Sequence, residues 1–251
     1  MQNLSAPALV LDAVNLQERD RIVSFLTADH GQKRGVARGA RAKYSRFAGQ
    51  LQPLAKVQVS WFEKDGRDLV RISEVSLLRS AAALQEDLEG ILLGSYLAEH
   101  MMEFVQENEE SHRFFRLLDT TIEALVGGLN RSLGARYFEI WSLRLAGVFP
   151  TPWECPLCAN DLAERAVLLE DDGALVCPSC AAGQAGRFEV GPAVIELLRR
   201  TAGENLASLS RQPPNAGVLE RTEELCARVR RTFLQYELKS YNVMRRTLAI
   251  G

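Results

Sequence analysis

Four of the five cysteines in this 251-residue chain are spaced as two Cys-x-x-Cys pairs. Two residues between cysteines place both thiolates on one tight turn, and the 18 residues between the pairs allow both turns to surround one tetrahedral Zn²⁺. Because four thiolates leave no coordination position open, we expect one structural zinc ion. Four reduced cysteines without metal, or a redox-active pair, are the alternatives. The predicted ligands are Cys155, Cys158, Cys177 and Cys180.

A second group of residues is suited to binding a polyanion. From His30 to Phe62 the sequence has seven Lys and Arg residues and no Asp or Glu, together with glycines that let a backbone approach a partner closely. Cations that neutralise phosphates and aromatic rings that stack on bases are typical of single-strand binding. The alternative is a solvated basic loop. The predicted DNA-binding residues are Lys33, Arg34, Arg38, Arg41, Lys43, Tyr44, Arg46 and Phe47.

A third cationic segment lies on the predicted C-terminal helix. Its arginines are most often a solvated face, and a second polyanion or protein contact is the alternative. Apolar residues between them, including Phe233 and Tyr236, are expected to pack in a core, as is the fifth cysteine, Cys226. The cations are Arg221, Arg228, Arg230, Arg231, Lys239, Arg245 and Arg246.

The formal net charge of −2 conceals an uneven distribution. Residues 1–80 carry 13 Lys and Arg against 8 Asp and Glu, whereas residues 81–150 carry 5 against 11. Residues 151–190 carry 2 against 7, and residues 191–251 carry 10 against 6. This asymmetry is typical of a polyanion-binding module attached to an acidic body.

Several classes of protein are disfavoured. An apolar content of 47% argues against a disordered chain, and no apolar run reaches the ~20 residues of a membrane helix. The first residues lack the pattern of a secretion signal, so we expect a cytoplasmic protein without a membrane partner. There is no HExxH or GxSxG motif, and the three histidines are distant in sequence from the cysteines. We therefore predict no catalytic residues and no small-molecule substrate.

The elements that must position these residues change character near residue 80. Strand-length or alternating apolar runs at residues 8–14, 56–62 and 69–75, with a hairpin signal at Asp65-Gly66, predict a small β-barrel of the OB-fold type. Residues 20–26 fit either a short helix or a strand. Helical periodicity begins at Leu84, and its apolar face includes Leu88 and Ile91.

The predicted fold class is therefore α+β: a barrel, then a helical domain with the zinc module embedded in it. Two further helices are expected, one after Ser111 and ending at Gly127-Gly128, and one at residues 133–145. A hairpin is expected within the cysteine segment, and helices follow Gly191-Pro192 and Pro213-Pro214. The predicted boundaries are 1–80 for the barrel, 81–150 and 191–251 for the helical domain, and 151–190 for the zinc module.

Four short segments follow one another in the N-terminal part of the chain: Thr27–Gly31, Val36–Arg41, Ser45 and Leu51–Pro53. Their order resembles the bacterial RecO recombination-protein family. The resemblance continues through the acidic helical middle, the four-cysteine insert after Phe149-Pro150 and the segment at residues 238–240, so it covers essentially the whole chain.

Membership of that family implies a non-enzymatic recombination mediator that acts in the bacterial cytoplasm at the nucleoid. The resemblance implies binding of single- and double-stranded DNA and annealing of complementary strands. It also implies partnership with RecR in loading RecA, and contact with the acidic C-terminal tail of single-strand-binding protein (SSB). The alternatives are a zinc-containing RNA-binding or transcription-associated module and, less favoured, a metal-dependent nuclease.

Overall fold

The computed structural model describes residues 2–64, 66, 68–169 and 173–248. They divide into two compact units, one formed by residues 1–126 with 238–251 and the other by residues 127–237. The predicted boundaries near residues 80, 150 and 190 remain predictions about independently folding domains. None of the described helices is long and apolar enough to span a membrane.

Five strands of the first unit close into a barrel in the order β1-β2-β3-β5-β4. Strands β3 and β5 pair in parallel, and all the other neighbours are antiparallel. The small β-barrel of OB type predicted from the sequence is confirmed, and it has five strands. The strands are β1 (Gln2–Leu16), β2 (Asp20–Thr27), β3 (Gln32–Ala37), β4 (Lys56–Glu63) and β5 (Val70–Arg79).

The length of β1 is what allows closure. Its 15 residues pair with β4 along the first half and with β2 along the second. A register shift between Val10 and Asp12 marks a bulge, which bends the strand around the barrel. The interior is filled by apolar side chains, among them Trp61 and Phe25, whose rings meet edge to face with centroids 5.6 Å apart.

The strand expectations are confirmed for β1, β4 and β5, and the ambiguous residues 20–26 form a strand. Strand β3 was not predicted, because Lys33, Arg34 and Gly35 stand where an alternating strand would show apolar residues. Gly35 is needed there: a Cβ would lie 2.8 Å from side-chain carbons of Ile72 and Val70 on the neighbouring β5. Asp65 of the expected hairpin signal lies outside the described residues.

Three helices complete the first unit. They follow a short 3-10 turn at Ala82–Gln85. The carboxylate of Asp87 caps the first helix by accepting a hydrogen bond from the Gly90 N–H at 2.8 Å. Because that cap sets the start, the helix begins at Leu88 and not at Leu84. The helices are α1 (Leu88–Phe104), α2 (His112–Val126) and α7 (Lys239–Leu248).

Helix α7 returns to α1 from the far end of the sequence. The Glu99 carboxylate accepts hydrogen bonds from the backbone N–H groups of Lys239 at 3.2 Å and Ser240 at 2.7 Å. The Ser240 hydroxyl also donates to Glu99. Beside this cap, the rings of Tyr96 and Tyr241 lie 5.5 Å apart. Glu99 therefore satisfies the free N–H groups at the start of α7.

The connection between α1 and α2, residues 105–111, is hydrogen-bonded to the turn between β2 and β3, and we call it the strap. The Asn108 N–H donates to the Gln32 carbonyl at 3.2 Å, and the Ser111 N–H donates to the Ala28 carbonyl at 2.8 Å. Gly31 lies beneath this strap with φ of +61°, and a Cβ there would lie 2.1 Å from the Glu109 carbonyl oxygen. Only glycine fits this position without moving the strap.

The second unit consists of helices around a small sheet in the order β7-β6-β8. The predicted hairpin is β6-β7, and β8 adds a third strand. Asp171 and Asp172, between the hairpin strands, lie outside the described residues. The elements are α3 (Arg131–Leu145), β6 (Ala166–Leu169), β7 (Ala174–Val176), β8 (Arg187–Val190), α4 (Pro192–Gly203), α5 (Leu206–Leu209) and α6 (Ala216–Leu234).

The cations of α6 are not all solvated, because one of its arginines is buried in an ion pair. Arg230 is fully buried and donates to Glu237 at 2.6 Å, so the expectation of a solvated side chain is wrong at this position. Phe233 and Tyr236, expected in the core, are about half exposed, so that expectation is wrong at both positions. Cys226 is buried, as predicted, and burial raises the pKa of its thiol well above the ordinary range.

Candidate nucleic-acid surface and metal site

The two Cys-x-x-Cys turns bring their four sulfur atoms within 4.8 Å of one another. The first turn is closed by hydrogen bonds of 2.8 Å from the Ala159 N–H to the Cys155 carbonyl and from the Cys155 N–H to the Asn160 carbonyl. The second is closed by the Ala181 N–H donating to the Cys177 carbonyl at 3.1 Å. This arrangement of four thiols can hold one metal ion.

The cysteines differ in their tendency to ionise. Burial opposes ionisation of Cys155, but hydrogen bonds from the backbone N–H groups of Cys177 and Leu157 outweigh it and lower the pKa to about 6. Hydrogen bonding with the Cys158 and Cys177 thiols raises the pKa of Cys180 to about 12. The thiols thus oppose one another's ionisation, and only a cation among them allows all four to become thiolates. The residues present therefore fit a tetrahedral thiolate site.

Helix α4 holds the first cysteine turn in place through Arg199. Its guanidinium donates to the Pro152 carbonyl at 3.1 Å and to the Asp161 carboxylate at 2.9 Å, and it lies 4.8 Å from the centroid of the Trp153 ring. The hydrogen bond from Arg199 lowers the pKa of Asp161. The cysteine module is therefore fastened to the helices of its own unit.

The predicted polycationic segment forms β3 and a series of turns that leads from β3 to β4. Just after β3 the segment is fixed to the turn between β1 and β2 and to the first residue of β2: the Gly39 N–H donates to the Asp20 carboxylate at 2.8 Å, and the Arg41 N–H donates to the Arg19 carbonyl at 2.9 Å. Further along, Phe47 and Leu51 insert into the barrel core. These contacts fix the backbone between them, so its exposed side chains form a defined surface.

Six of the eight predicted DNA-binding residues are exposed. Tyr44 is 89% exposed, with the Lys43 ammonium 5.6 Å from its ring centroid, and is available for stacking. Among the described acidic side chains, none lies within 4.0 Å of the five exposed cations. We call these six residues the basic surface: Arg34, Arg38, Arg41, Lys43, Tyr44 and Arg46.

Lys33 and Phe47 do not belong to the basic surface. Lys33 is only 8% exposed, and its ammonium donates to Glu63 at 2.5 Å and to Asn108 at 2.8 Å. Burial opposes ionisation of Glu63, but its hydrogen bonds with Lys33 and Trp61 outweigh this and lower its pKa. Phe47 is 2% exposed in the barrel core. The prediction of DNA contacts is therefore corrected at these two positions, since neither side chain reaches a ligand at the surface.

The fold adds one residue that the sequence pattern does not reveal. Arg19 lies in the turn between β1 and β2, separated in sequence from the polycationic segment, and it is exposed. Its carbonyl accepts the hydrogen bond from the Arg41 N–H, so the two residues are neighbours. The Arg41 guanidinium also donates to the Gln17 carbonyl of the same turn at 2.9 Å, so Arg19 extends the basic surface.

Comparisons with known proteins agree with this architecture. The family described as "Recombination protein O N terminal" matches residues 1–81, and "Recombination protein O C terminal" matches residues 85–242. A protein named DNA repair protein RecO from Anaeromyxobacter sp. (strain K) is 33% identical over 251 residues, which is 99% of this chain and 96% of the relative.

Two further relatives carry the same name. The protein from Anaeromyxobacter sp. (strain Fw109-5) is 35% identical over 86% of both chains. The one from Pelotomaculum thermopropionicum is 29% identical over 96% of this chain and 93% of the relative. The matches extend over the barrel, the helices and the cysteine module alike, and the chain belongs to the RecO family of DNA repair proteins.

Proposed function

We propose that this protein is a recombination mediator that binds single- and double-stranded DNA and anneals complementary strands. Together with RecR it helps to load RecA onto single strands coated by SSB. The observation that carries the proposal is the basic surface, five exposed cations and an exposed tyrosine on an OB-type barrel, in a chain of the RecO family.

The basic surface supports annealing by a simple electrostatic route. Guanidinium and ammonium groups replace the counterions that surround DNA phosphates, which lowers the repulsion between two strands brought together. Tyr44 offers a ring on which an unpaired base stacks. Such a reaction consumes no nucleotide and makes or breaks no covalent bond, so we propose that the protein is a mediator without an enzymatic step.

The four cysteines are proposed to bind one structural Zn²⁺ through Cys155, Cys158, Cys177 and Cys180. Four thiolates complete the tetrahedral coordination of zinc, so the ion supplies cohesion to the module and takes no part in a reaction. Arg199 joins that module to α4 within the same unit.

The partners and location follow from the family. We propose that RecR and the acidic C-terminal tail of SSB bind this protein, and that it acts in the bacterial cytoplasm at the nucleoid. The opposite charges of the basic surface and of residues 80–112, which carry eight Asp and Glu and no Lys or Arg, support different partners for the two regions.

The test is annealing of complementary oligonucleotides that are already coated with SSB, without nucleotide, at two salt concentrations. We expect this protein to accelerate annealing, with a rate that falls as salt rises. A folded, metal-loaded protein that gives no acceleration would contradict the mediator function. Strand cleavage on addition of Mg²⁺ or Mn²⁺ would instead indicate a nuclease.

A further inference from the structure

An apolar pocket of about 330 Å³ opens on the first unit between the barrel and α1. One wall is the loop before β4, with Pro53 and Leu54, and the opposite wall is the first half of α1, with Gly90, Ile91 and Gly94. Leu84 of the 3-10 turn lies between them. The volume is within the usual range of small binding pockets.

A glycine on α1, Gly94, keeps the pocket open. A Cβ on Gly94 would lie 3.2 Å from a methyl carbon of Leu54, so a larger residue would close the space. Leu54 is itself fixed: its backbone has a φ of +65°, and its N–H donates to the Val10 carbonyl at 2.7 Å. The walls are therefore formed before any partner arrives.

Apolar side chains continue out of the pocket onto the surface of α1. Leu88 is 57% exposed and Ile91 is 46% exposed, although the helical periodicity predicts both in the core. They are three residues apart and so lie on the same side of the helix. A patch of this kind beside a preformed pocket is characteristic of a binding site for another molecule.

The charges around this apolar patch indicate the charge of the molecule that binds there. Residues 80–112 contain eight Asp and Glu residues and no Lys or Arg. Of these, Glu86 is exposed and adjoins the pocket-lining residue Gln85 in sequence. A negative field of this kind repels phosphates and acidic peptides and attracts cationic ones.

We propose that this pocket docks a cationic amphipathic segment of a partner protein. Two apolar side chains one helical turn apart enter the space beside Ile91 and Gly94, and flanking Lys or Arg residues face Glu86 and the negative field of the surrounding acidic segment. The proposal is independent of the proposed DNA activity, because none of the residues of the basic surface lines the pocket.

The probes are two synthetic peptides of about 14 residues, a length at which helices become stable. Both carry Leu and Phe one helical turn apart; one has lysines on either side, and the other has glutamates in their place. Binding to the full chain is measured by fluorescence anisotropy, and methyl NMR signals of Ile91 and Leu84 report the location. We expect the lysine peptide to bind at least about tenfold more tightly at about 50 mM salt, and the difference to shrink at about 300 mM.

Two variants test the location. Ile91→Lys places a cation at the mouth of the pocket, and we expect it to weaken binding of the lysine peptide at least about tenfold. The matched control is Val243→Lys, which changes an exposed residue of α7 that does not line the pocket and leaves binding unchanged. Both positions are surface-exposed, so both variants fold, which circular dichroism and thermal melting verify.

Three results overturn the proposal: equal affinity for the two peptides, preference for the glutamate peptide, or unchanged binding by Ile91→Lys. Failure of both peptides to bind overturns it as well. DNA annealing by Ile91→Lys is expected to equal that of the unmodified protein. The docking proposal and the mediator proposal therefore fail on different measurements.

Discussion

Lys33 and Arg34 are neighbours in sequence with opposite roles, because side chains of a strand alternate between its two faces. Lys33 is buried in an ion pair with Glu63 and is held further by Asn108, whereas Arg34 is exposed. Lys56 is likewise paired, with Asp119 at 2.6 Å. A count of cations in the sequence cannot distinguish a paired lysine from an exposed one. Of the seven cations in the segment, Lys33 and Lys56 are paired, and the other five lie on the basic surface.

Replacing Arg38 and Arg41 by Ala should weaken DNA binding to all sequences alike, because phosphate contacts carry no base information. We expect the slope of log affinity against log salt to flatten by about 0.7 per lost contact on single strands and about 0.9 on duplex. Titration of labelled oligonucleotides at several salt concentrations measures both quantities.

The charge-matched control for that double variant is Arg113→Ala with Arg116→Ala, which removes two exposed cations from α2. It should leave the salt slope of binding unchanged. Equal loss in both double variants would show that net charge, and not the basic surface, governs affinity.

Cys177→Ser should release zinc, because removing one of four thiolates breaks the tetrahedral set. We expect metal content to fall from one zinc per chain to less than half, and the melting temperature to fall with it. DNA affinity at low temperature should change little, since the cations lie in the other unit. Metal analysis by mass spectrometry, melting curves and DNA titration test this.

Cys226→Ala is the control for the metal measurement, since Cys226 is buried away from the four clustered thiols. It should retain zinc even if its melting temperature falls. Zinc retained at full occupancy by Cys177→Ser would contradict the assigned ligand set.

At the scale of elements, local patterns predict much of the fold. Alternating residues identify β4, and the helical spacing of apolar residues after Ser111 identifies α2. Strand β3 escapes prediction because its pairing with β5 depends on Gly35, and the need for a glycine arises only when the two strands meet. The exposure of Leu88 and Ile91 likewise cannot be predicted from periodicity. Periodicity identifies an apolar face of a helix, but it does not show whether another element covers that face.

The cysteine cluster and the basic surface differ in how fully the sequence predicts them. The cysteine cluster is predictable because each turn is local and its spacing restricts where the thiols lie. The basic surface is only partly predictable: Phe47 looks like a loop aromatic, but it is a core residue because the loop folds back onto the barrel. Arg19 joins the surface through a backbone contact with no sequence signature.

Gly31→Ala should unfold the strap between the helices and the barrel. The added methyl group collides with the Glu109 carbonyl, and the residue must also keep a positive φ. We expect a loss of about 3 kcal/mol or more in the free energy of unfolding of the first unit. Urea denaturation measures the loss.

Gly39→Ala is the matched control, because Gly39 has a φ of +72° with no atom within 4 Å of the added Cβ. Its free energy of unfolding should fall by only about 1 kcal/mol, because the substitution costs no more than the left-handed backbone conformation of a non-glycine residue. Similar losses in the two variants would show that the close approach to Glu109 is not what requires glycine at position 31.

At the scale of the whole molecule, the first unit is discontinuous in sequence. Glu99→Ala removes the acceptor for the N-terminal N–H groups of α7, and loss of a helix cap costs about 1–2 kcal/mol. Hydrogen exchange should therefore accelerate in residues 1–126 and 238–248, with residues 127–237 unaffected.

The reciprocal variant is Asn215→Ala, which removes the cap of α6 in the second unit, where the Asn215 side chain accepts from the Val218 N–H at 3.0 Å. Exchange should then accelerate in residues 127–237 only. Acceleration throughout the chain in both variants would show that the two units unfold together.

The return of α7 to α1 also sets an order of events during translation. The ribosome completes the barrel, α1 and α2 first, then makes all of residues 127–237 before α7 is synthesised. Throughout that interval α1 lacks its contacts with α7, namely those of Tyr96 with Tyr241 and of Glu99 with Ser240, so the nascent chain presents an uncovered helix face to chaperones and proteases. The basic surface, by contrast, is already complete. A ribosome stalled within the second unit would therefore carry a nascent chain able to hold nucleic acid before its own fold is finished.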